Sequence, residues 1–253
     1  MEVLPLRTPT IPPATHTNCY RVGRTYIDPA SPWEDEQARL LAWAHGGVDR
    51  IVITHHHHDH VGGVAALAAA TGAPVYAHRD ARVDFPVDVW LEDGDGIDTG
   101  SGVLRCLHTP GHADGHLALH LEGTDHVIAG DLVAGEGTIV LVEPEGDLEV
   151  YLDSLARVRP LVGTMWPAHG RALVDGQGVV DRYTAHRHHR TRQILTALTA
   201  GPADPDRIAE RVYEGVPGVN LALAALQVRT HLRWLERRGR VEVGPDGDYV
   251  RPG

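Results

Sequence analysis

Lysine is missing from this sequence: all 23 basic residues among the 253 are arginine. That excludes chemistry built on an amine side chain, from Schiff-base formation to the phosphate-binding lysine of a P-loop. Cysteine is nearly missing. Only Cys19 and Cys106 occur, at no close spacing. Neither a disulfide framework nor a paired-cysteine metal site is expected, and a reduced, cytoplasmic setting is. No run reaches the ~18 apolar residues of a membrane span, and the proline-containing start, residues 1–13, lacks the apolar stretch of a secretory signal. No membrane association is expected. Positive charge is also short. A formal net charge of −11 argues against broad nucleic-acid binding, which needs a basic footprint. No internal repeat of fixed period is visible.

What is present is an ordinary globular balance of 42% hydrophobic and 23% charged residues, so large-scale disorder is not expected. The length suits one large domain, with or without a small one. Histidine is the outlier. Eighteen residues of the commonest metal-ligating type demand an explanation.

Strand and helix signals alternate along the chain. Strands are expected at 19–27, 50–54, 75–77, 102–107, 117–121, 126–129 and 164–167. Helices are expected at 34–45, from Gly63 to near Gly72, at 149–158 and at 181–199. Gly201-Pro202-Ala203-Asp204-Pro205 breaks the last of these and is the best linker. Helices at 206–213 and 219–238 follow, then a hairpin of 240–243 and 248–251. Helix, helix, hairpin is a winged-helix pattern. The expected division is therefore a catalytic domain, 1–200, and a small winged-helix-like domain, 201–253. In its last helix Leu221, Ala225, Val228, Leu232 and Leu235 fall on one face and should pack.

Four motifs carry chemistry. The first is His55-His56-His57-His58-Asp59-His60, after an apolar strand and before a glycine-led helix. A purification-tag remnant would sit at a terminus instead. A strand end and the following turn can aim His55 and His57 at one point, and Asp59 and His60 at a neighbouring one, as two metals ~3.5–4 Å apart require. His56 and His58 are then spacers. The second is Pro110-Gly111-His112, with His116 four residues on as ligand, supporting group or plain surface. The third is Gly130-Asp131, which alone reads equally as a turn or helix cap. The fourth is Ala168-His169-Gly170. Each of the last three is weak alone. Together the four supply five histidines and two aspartates, all at the ends of expected strands. Nitrogen and carboxylate donors without thiolate suit Zn²⁺, with Mn or Fe as alternatives.

The order His-x-His-x-Asp-His, Gly-His, Gly-Asp and glycine-flanked His resembles the metallo-β-lactamase superfamily over about residues 15–175. The resemblance implies an α/β fold, the four-layer αβ/βα sandwich, with two metals at one sheet edge. It assigns His55, His57 and His112 to one metal and Asp59, His60 and His169 to the other, with Asp131 bridging. The chain is also similar to the β-lactamase-like protein 2 group, through residues 183–195, the tail and Gly135-Glu136-Gly137-Thr138. That group includes a mitochondrial endoribonuclease acting on single-stranded RNA and fungal thioesterases that release polyketides from a carrier protein.

Two divalent ions against Asp59, Asp131 and a bridging hydroxide leave a locally positive site within an acidic chain. Such a site draws a carbonyl or phosphoryl oxygen. The expected reaction is hydroxide attack, with Asp59 and Asp131 as the catalytic carboxylates. Asp114 and His116 are the expected partners of the ligand histidines' far nitrogens. In the basic stretch His186, Arg187, His188, His189, Arg190 and Arg192, the first two and Arg190 are candidates for substrate contact. The competing reading is a solvated helix face. Arg229, Arg233, Arg237 and Arg240 likewise form either a nucleic-acid stripe or a solvated face. Residues 201–253 hold eight acids and eight arginines, so the tail is neutral and the −11 lies in residues 1–200.

The leading expectation is hydrolysis of an ester, thioester or lactone, on a small-molecule or acyl-carrier substrate. A phosphodiesterase on single-stranded RNA is the alternative. A non-catalytic binding protein would show damaged ligands, and all seven are intact. Within the resembled superfamily, glutathione-thioester hydrolases hold their substrate with a lysine-bearing tail, which this chain lacks. Long nucleases insert a domain for which there is no room.

Overall fold

The computed structural model describes residues 1–252. The first sheet has six strands in chain order: β1 (Glu2–Arg7), β2 (His16–Val22), β3 (Thr25–Ile27), β4 (Arg50–Val52), β5 (Val75–His78) and β6 (Val89–Leu91). The first three pair antiparallel and the rest parallel. Parallel neighbours need crossovers. These carry α1 (Glu34–Trp43), the single-turn α2 (His58–Val61) and α3 (Val64–Thr71). The second sheet is built from β7 (Gly96–Asp98), β8 (Val103–His108), β9 (Leu117–Leu121) and β10 (His126–Gly130), an antiparallel meander, followed by β11 (Thr164–Pro167) parallel to β10 and β12 (Leu173–Val174) antiparallel to β11. Helices α4 (Leu148–Val158) and α5 (Gly176–Ala197) cover its outer side.

The four layers follow from side-chain alternation. Successive residues of a strand point to opposite faces. On β4, Ile51 and Ile53 pack with Leu40, Val64 and Leu67 of the helices, while Val52 faces the other sheet. On β10, Val127 and Ala129 meet Tyr151, Leu155 and Val179, while Ile128 faces inward with Leu117, Leu119 and Leu104. Both sheets are thus apolar on both faces, as a doubly covered sheet must be.

Several expected elements shift. The run 19–27 is two strands, because Gly23 (φ +59°) turns the chain between them. β1 was hidden by its prolines; Pro5 is tolerated because β1 is an edge strand with one neighbour. α5 begins at Gly176 rather than 181, since Asp175 accepts a bond from the Gly178 N–H and caps it.

The tail folds as α6 (Pro205–Val212), α7 (Leu221–Arg237) and a short hairpin of β13 (Glu242–Val243) and β14 (Tyr249–Val250). Its core joins Ile208, Ala225, Val228, Leu232 and Leu235 to Ile194 of α5 and Leu198 just after it. That core therefore starts before residue 201. Leu221, expected on the packed face, is 46% exposed at the helix start. The tail is fastened to the body. Gln227 and Thr230 bond the Leu141 carbonyl at 2.8 and 2.7 Å. Arg237 makes a two-pronged pair with Asp147 (2.7 and 3.0 Å). Among the described residues no helix is long and apolar enough to cross a membrane.

Candidate metal centre

Four loops converge beyond the C-terminal ends of β4, β8, β10 and β11, the edge at which open α/β sheets generally bind ligands. Two backbone bonds tie the sheets together there, Leu117 N–H to Thr54 (2.7 Å) and Asn18 N–H to Ala168 (2.7 Å), and Ala168 N–H to Gly130 (3.0 Å) continues the pairing of β11 with β10. Two glycines set the approach. Gly130 has φ +51°, and a Cβ there would lie 2.6 Å from His116 Nε2. Gly111, at φ +107°, would place a Cβ 2.4 Å from the Tyr151 nitrogen, so only glycine lets the His112 turn lie against α4.

The structure brings together all seven residues singled out above. Ligating atoms of His55, His57 and His112 lie within 4.8 Å of one another, as do those of His55, His60 and Asp131, and of Asp59, His60 and His169. In the first group His57 Nδ1 sits 3.0 Å from His55 Nε2 and 3.1 Å from His112 Nε2. His112 Nδ1 donates to the Val140 carbonyl at 2.8 Å, which leaves its Nε2 as a lone pair. Burial, aided by the neighbouring imidazoles, holds His55 well below the ordinary histidine range, takes His57 to about 3 and lowers His112. Three neutral imidazoles thus present nitrogens to one point.

The second group differs in charge. His169 Nε2 lies 3.5 Å from Asp59 and 3.3 Å from Asp131. His60 Nε2 lies 3.6 Å from Asp131. Burial opposes protonation of both histidines, but the Asp131 charge outweighs it and raises each, His60 strongly with help from Asp28. Burial likewise opposes ionisation of Asp131, and His60 and His169 outweigh that, keeping it a carboxylate. Asp131 spans both groups, with Oδ1 toward His60 and His169 and Oδ2 3.4 Å from His112. His60 Nε2 and Asp131 Oδ1 are buried and have no hydrogen-bond partner. Buried polar atoms are almost always satisfied. Divalent cations would satisfy both, so the donor set fits two metal ions.

The supporting groups are not the expected ones. His169 Nδ1 bonds the His16 carbonyl (2.9 Å) and His60 Nδ1 the Asp28 carboxylate (2.9 Å). Asp28 also accepts the Thr54 N–H and hydroxyl, each at 2.7 Å. It is the important residue that sequence reasoning missed. Its one signal was Asp28-Pro29 closing a strand beside the motif strand. Asp114 instead pairs with Arg82 on the surface. His116 accepts the Asp131 backbone N–H at Nε2 (3.0 Å) and so holds Asp131 by its main chain. His56 turns to Glu145 (3.2 Å), and His58 opens α2.

The centre lies in a cleft of about 650 Å³. Pro9, Ile11, Pro12, Val140, Val142, Leu223 and Leu226 line it. Glu136, Glu143 and Glu145 face it with one cation, Arg82. His186, Arg187 and Arg190 do not reach this cleft. They line a separate, smaller hollow beside it. Three arginines of the stripe are engaged as well, Arg229 with Asp206, Arg233 with Glu143 and Arg237 with Asp147, while Arg240 lies beyond α7 and takes part in no ion pair among the described residues.

The comparisons agree with this geometry. The family model "Metallo-beta-lactamase superfamily" matches residues 13–164. A beta-lactamase-like protein 2 homolog of Drosophila melanogaster is 31% identical over 230 residues, covering 83% of this chain and 75% of its own. An atrochrysone carboxyl ACP thioesterase of Cryptosporiopsis sp. is 29% identical over 193 residues, 72% of this chain and 58% of that one. A metallo-beta-lactamase family protein of Thermus thermophilus superposes with a TM-score of 0.84 over 99% of this chain and 98% of the other, at 23% identity, which speaks to the fold. The family match covers more than half of the chain and the Drosophila relative spans 83% of it, and the chain belongs to the metallo-beta-lactamase superfamily.

Proposed function

We propose that this chain is a binuclear metal-dependent hydrolase acting on a carbonyl substrate, an acyl thioester first, an ester or lactone next. His55, His57 and His112 would hold one ion, Asp59, His60 and His169 the other, and Asp131 both. Zn²⁺ suits the nitrogen and carboxylate donors best. When bound, the ions supply Lewis acidity and lower the pKa of water from 15.7 to about 7. The chain's own residues do the rest. Asp131 keeps the two groups at one spacing, and Asp59, at the cleft surface, orients the attacking water. The apolar walls take up an acyl chain and exclude bulk water.

The observation that carries the reading is the lining of the cleft. Seven apolar side chains suit an acyl group, and beyond the metal ligands the charged side chains lining the cleft are three glutamates against one arginine, which gives a phosphodiester backbone no cationic track. With the α7 arginines paired to acids, the RNA alternative loses its cationic track. The thioesterase relative supports the acyl direction. We read α6, α7 and the hairpin as a winged-helix-like unit whose Leu223 and Leu226 form one wall of the cleft. The substrate would be a small acyl compound or an acyl group on a carrier. Cys19 and Cys106 are buried and free, which supports a reduced, cytoplasmic setting.

The test is a panel on protein loaded separately with Zn²⁺, Mn²⁺ and Fe²⁺: acyl thioesters, lactones and single-stranded RNA. Thioester hydrolysis well above the others is expected. RNA cleavage with inert thioesters would overturn the acyl reading.

A further inference from the structure

Beside the metal cleft lies a second hollow of about 210 Å³, between the middle of α5, the start of α7 and the chain joining α6 to α7. Pro12, Thr138, Val140 and Leu223 line both spaces, so the two adjoin. Its charge is opposite to that of the cleft. Arg187 and Arg190 face it, no aspartate or glutamate does, and neither arginine takes part in an ion pair among the described residues. In a chain of net charge −11 that is a built separation, not an average.

Three further features sit there. Arg187 is 4% exposed. One arm is spent on the Ile139 carbonyl (2.7 Å) and one on Gln227 (3.2 Å), yet its buried Nε–H has no partner. The Arg190 guanidinium carbon sits over the Tyr213 ring, 4.1 Å from its centroid, a contact that holds the group without using its donors. The 17-residue helix α7 begins here, capped by Asn220, and its N-terminal end adds positive potential.

We propose that this hollow is an anion subsite: it holds a carboxylate or phosphate at the end of the substrate remote from the scissile acyl group, through Arg190 and the Arg187 Nε–H. The assignment of a substrate role rests on the acyl-hydrolase reading; the binding of an anion does not. The substrate class it selects is an acyl compound whose leaving or distal portion ends in an anionic oxygen group. Arg187 anchors α5 through its two arms as well as lining the hollow, so Arg190 is the residue to change.

Two experiments on full-length, metal-loaded protein separate the claims. The first compares kcat/KM for a neutral N-acetylcysteamine thioester with that for the 3-mercaptopropionate thioester and the 4′-phosphopantetheine thioester of the same acyl group. The native protein should favour at least one charged substrate about tenfold or more, and in Arg190→Gln the ratio should fall toward one. The preferred substrate tells carboxylate from phosphate. Equal rates on all three in the native protein, or an unaltered ratio in the variant, overturn the proposal. The second reads thermal stability of both proteins with inorganic phosphate and with succinate. Any binding at the metal ligands is common to the two proteins and cancels in their difference. A rise in Tm larger in the native protein than in Arg190→Gln supports the subsite even if no thioester is hydrolysed; equal rises overturn it.

Discussion

Asp131 carries the greatest share of the site because its two oxygens face both ligand groups, and because its main chain is held by His116 while its side chain is left with an unsatisfied oxygen. Replacing it with alanine should reduce bound metal below two per chain, read by elemental analysis, and lower hydrolysis by more than about 100-fold, the upper end of what losing an outer partner costs. Asp28 acts through another residue. Asp28→Asn keeps the shape but removes the charge that orients His60. Metal affinity should fall about 10–100-fold in a competition with a chelator, while the folded state persists in circular dichroism. Unchanged affinity would reduce Asp28 to a packing residue. Gly130→Ala meets His116 Nε2 and a left-handed backbone at once. A lower Tm is expected, by a destabilisation of about 1–3 kcal/mol.

At the scale of elements, Asp147 joins two jobs. It caps α4 by accepting the Glu149 and Val150 N–H groups at 2.9 and 3.2 Å, and it receives the fork of Arg237 from α7. Burial tends to raise its pKa, but the Arg237 bonds and the helix N–H groups outweigh it and lower it. A carboxylate with a depressed folded pKa adds stability above its unfolded value, near 3.9, and that contribution disappears as pH falls through its folded pKa. Asp147→Ala should therefore lower stability by about 1 kcal/mol near neutral pH, the usual worth of a cap. The gap in Tm between native and variant protein should close on acidification below about pH 4. A gap that does not narrow at all on acidification would mean the loss is one of packing.

For the whole molecule, the distribution of charge predicts response to salt. With an apolar, acid-lined cleft and neutralised α7 arginines, hydrolysis of a neutral acyl thioester should change less than about twofold between 50 and 200 mM salt, where binding to nucleic acid through several phosphates would fall by orders of magnitude. A steep fall would return the RNA reading. Much of this chain was legible from its residues alone. Apolar runs flanked by glycine announced β4, β9, β10 and β11, because a strand buried on both faces must be apolar throughout. The metal residues were legible because each follows such a strand, and the His55–His60 spacing leaves little else for them to do. β6, β7 and β12, of three, three and two residues, are too short for a period to show. Asp28 and the Val140 and His16 carbonyls support the ligands from distant points in the chain, and no local pattern encodes a contact across such separations. The same holds for the basic stretch of α5. Its residues read as one charged face, yet folding buried Arg187 against Tyr151, laid Arg190 on Tyr213 and turned both from the metal cleft toward a hollow of their own. Sequence by itself determined the donor types, their order and the family; only the tertiary structure decided what surrounds them, since burial, charge and orphaned hydrogen-bond donors arise when remote segments meet.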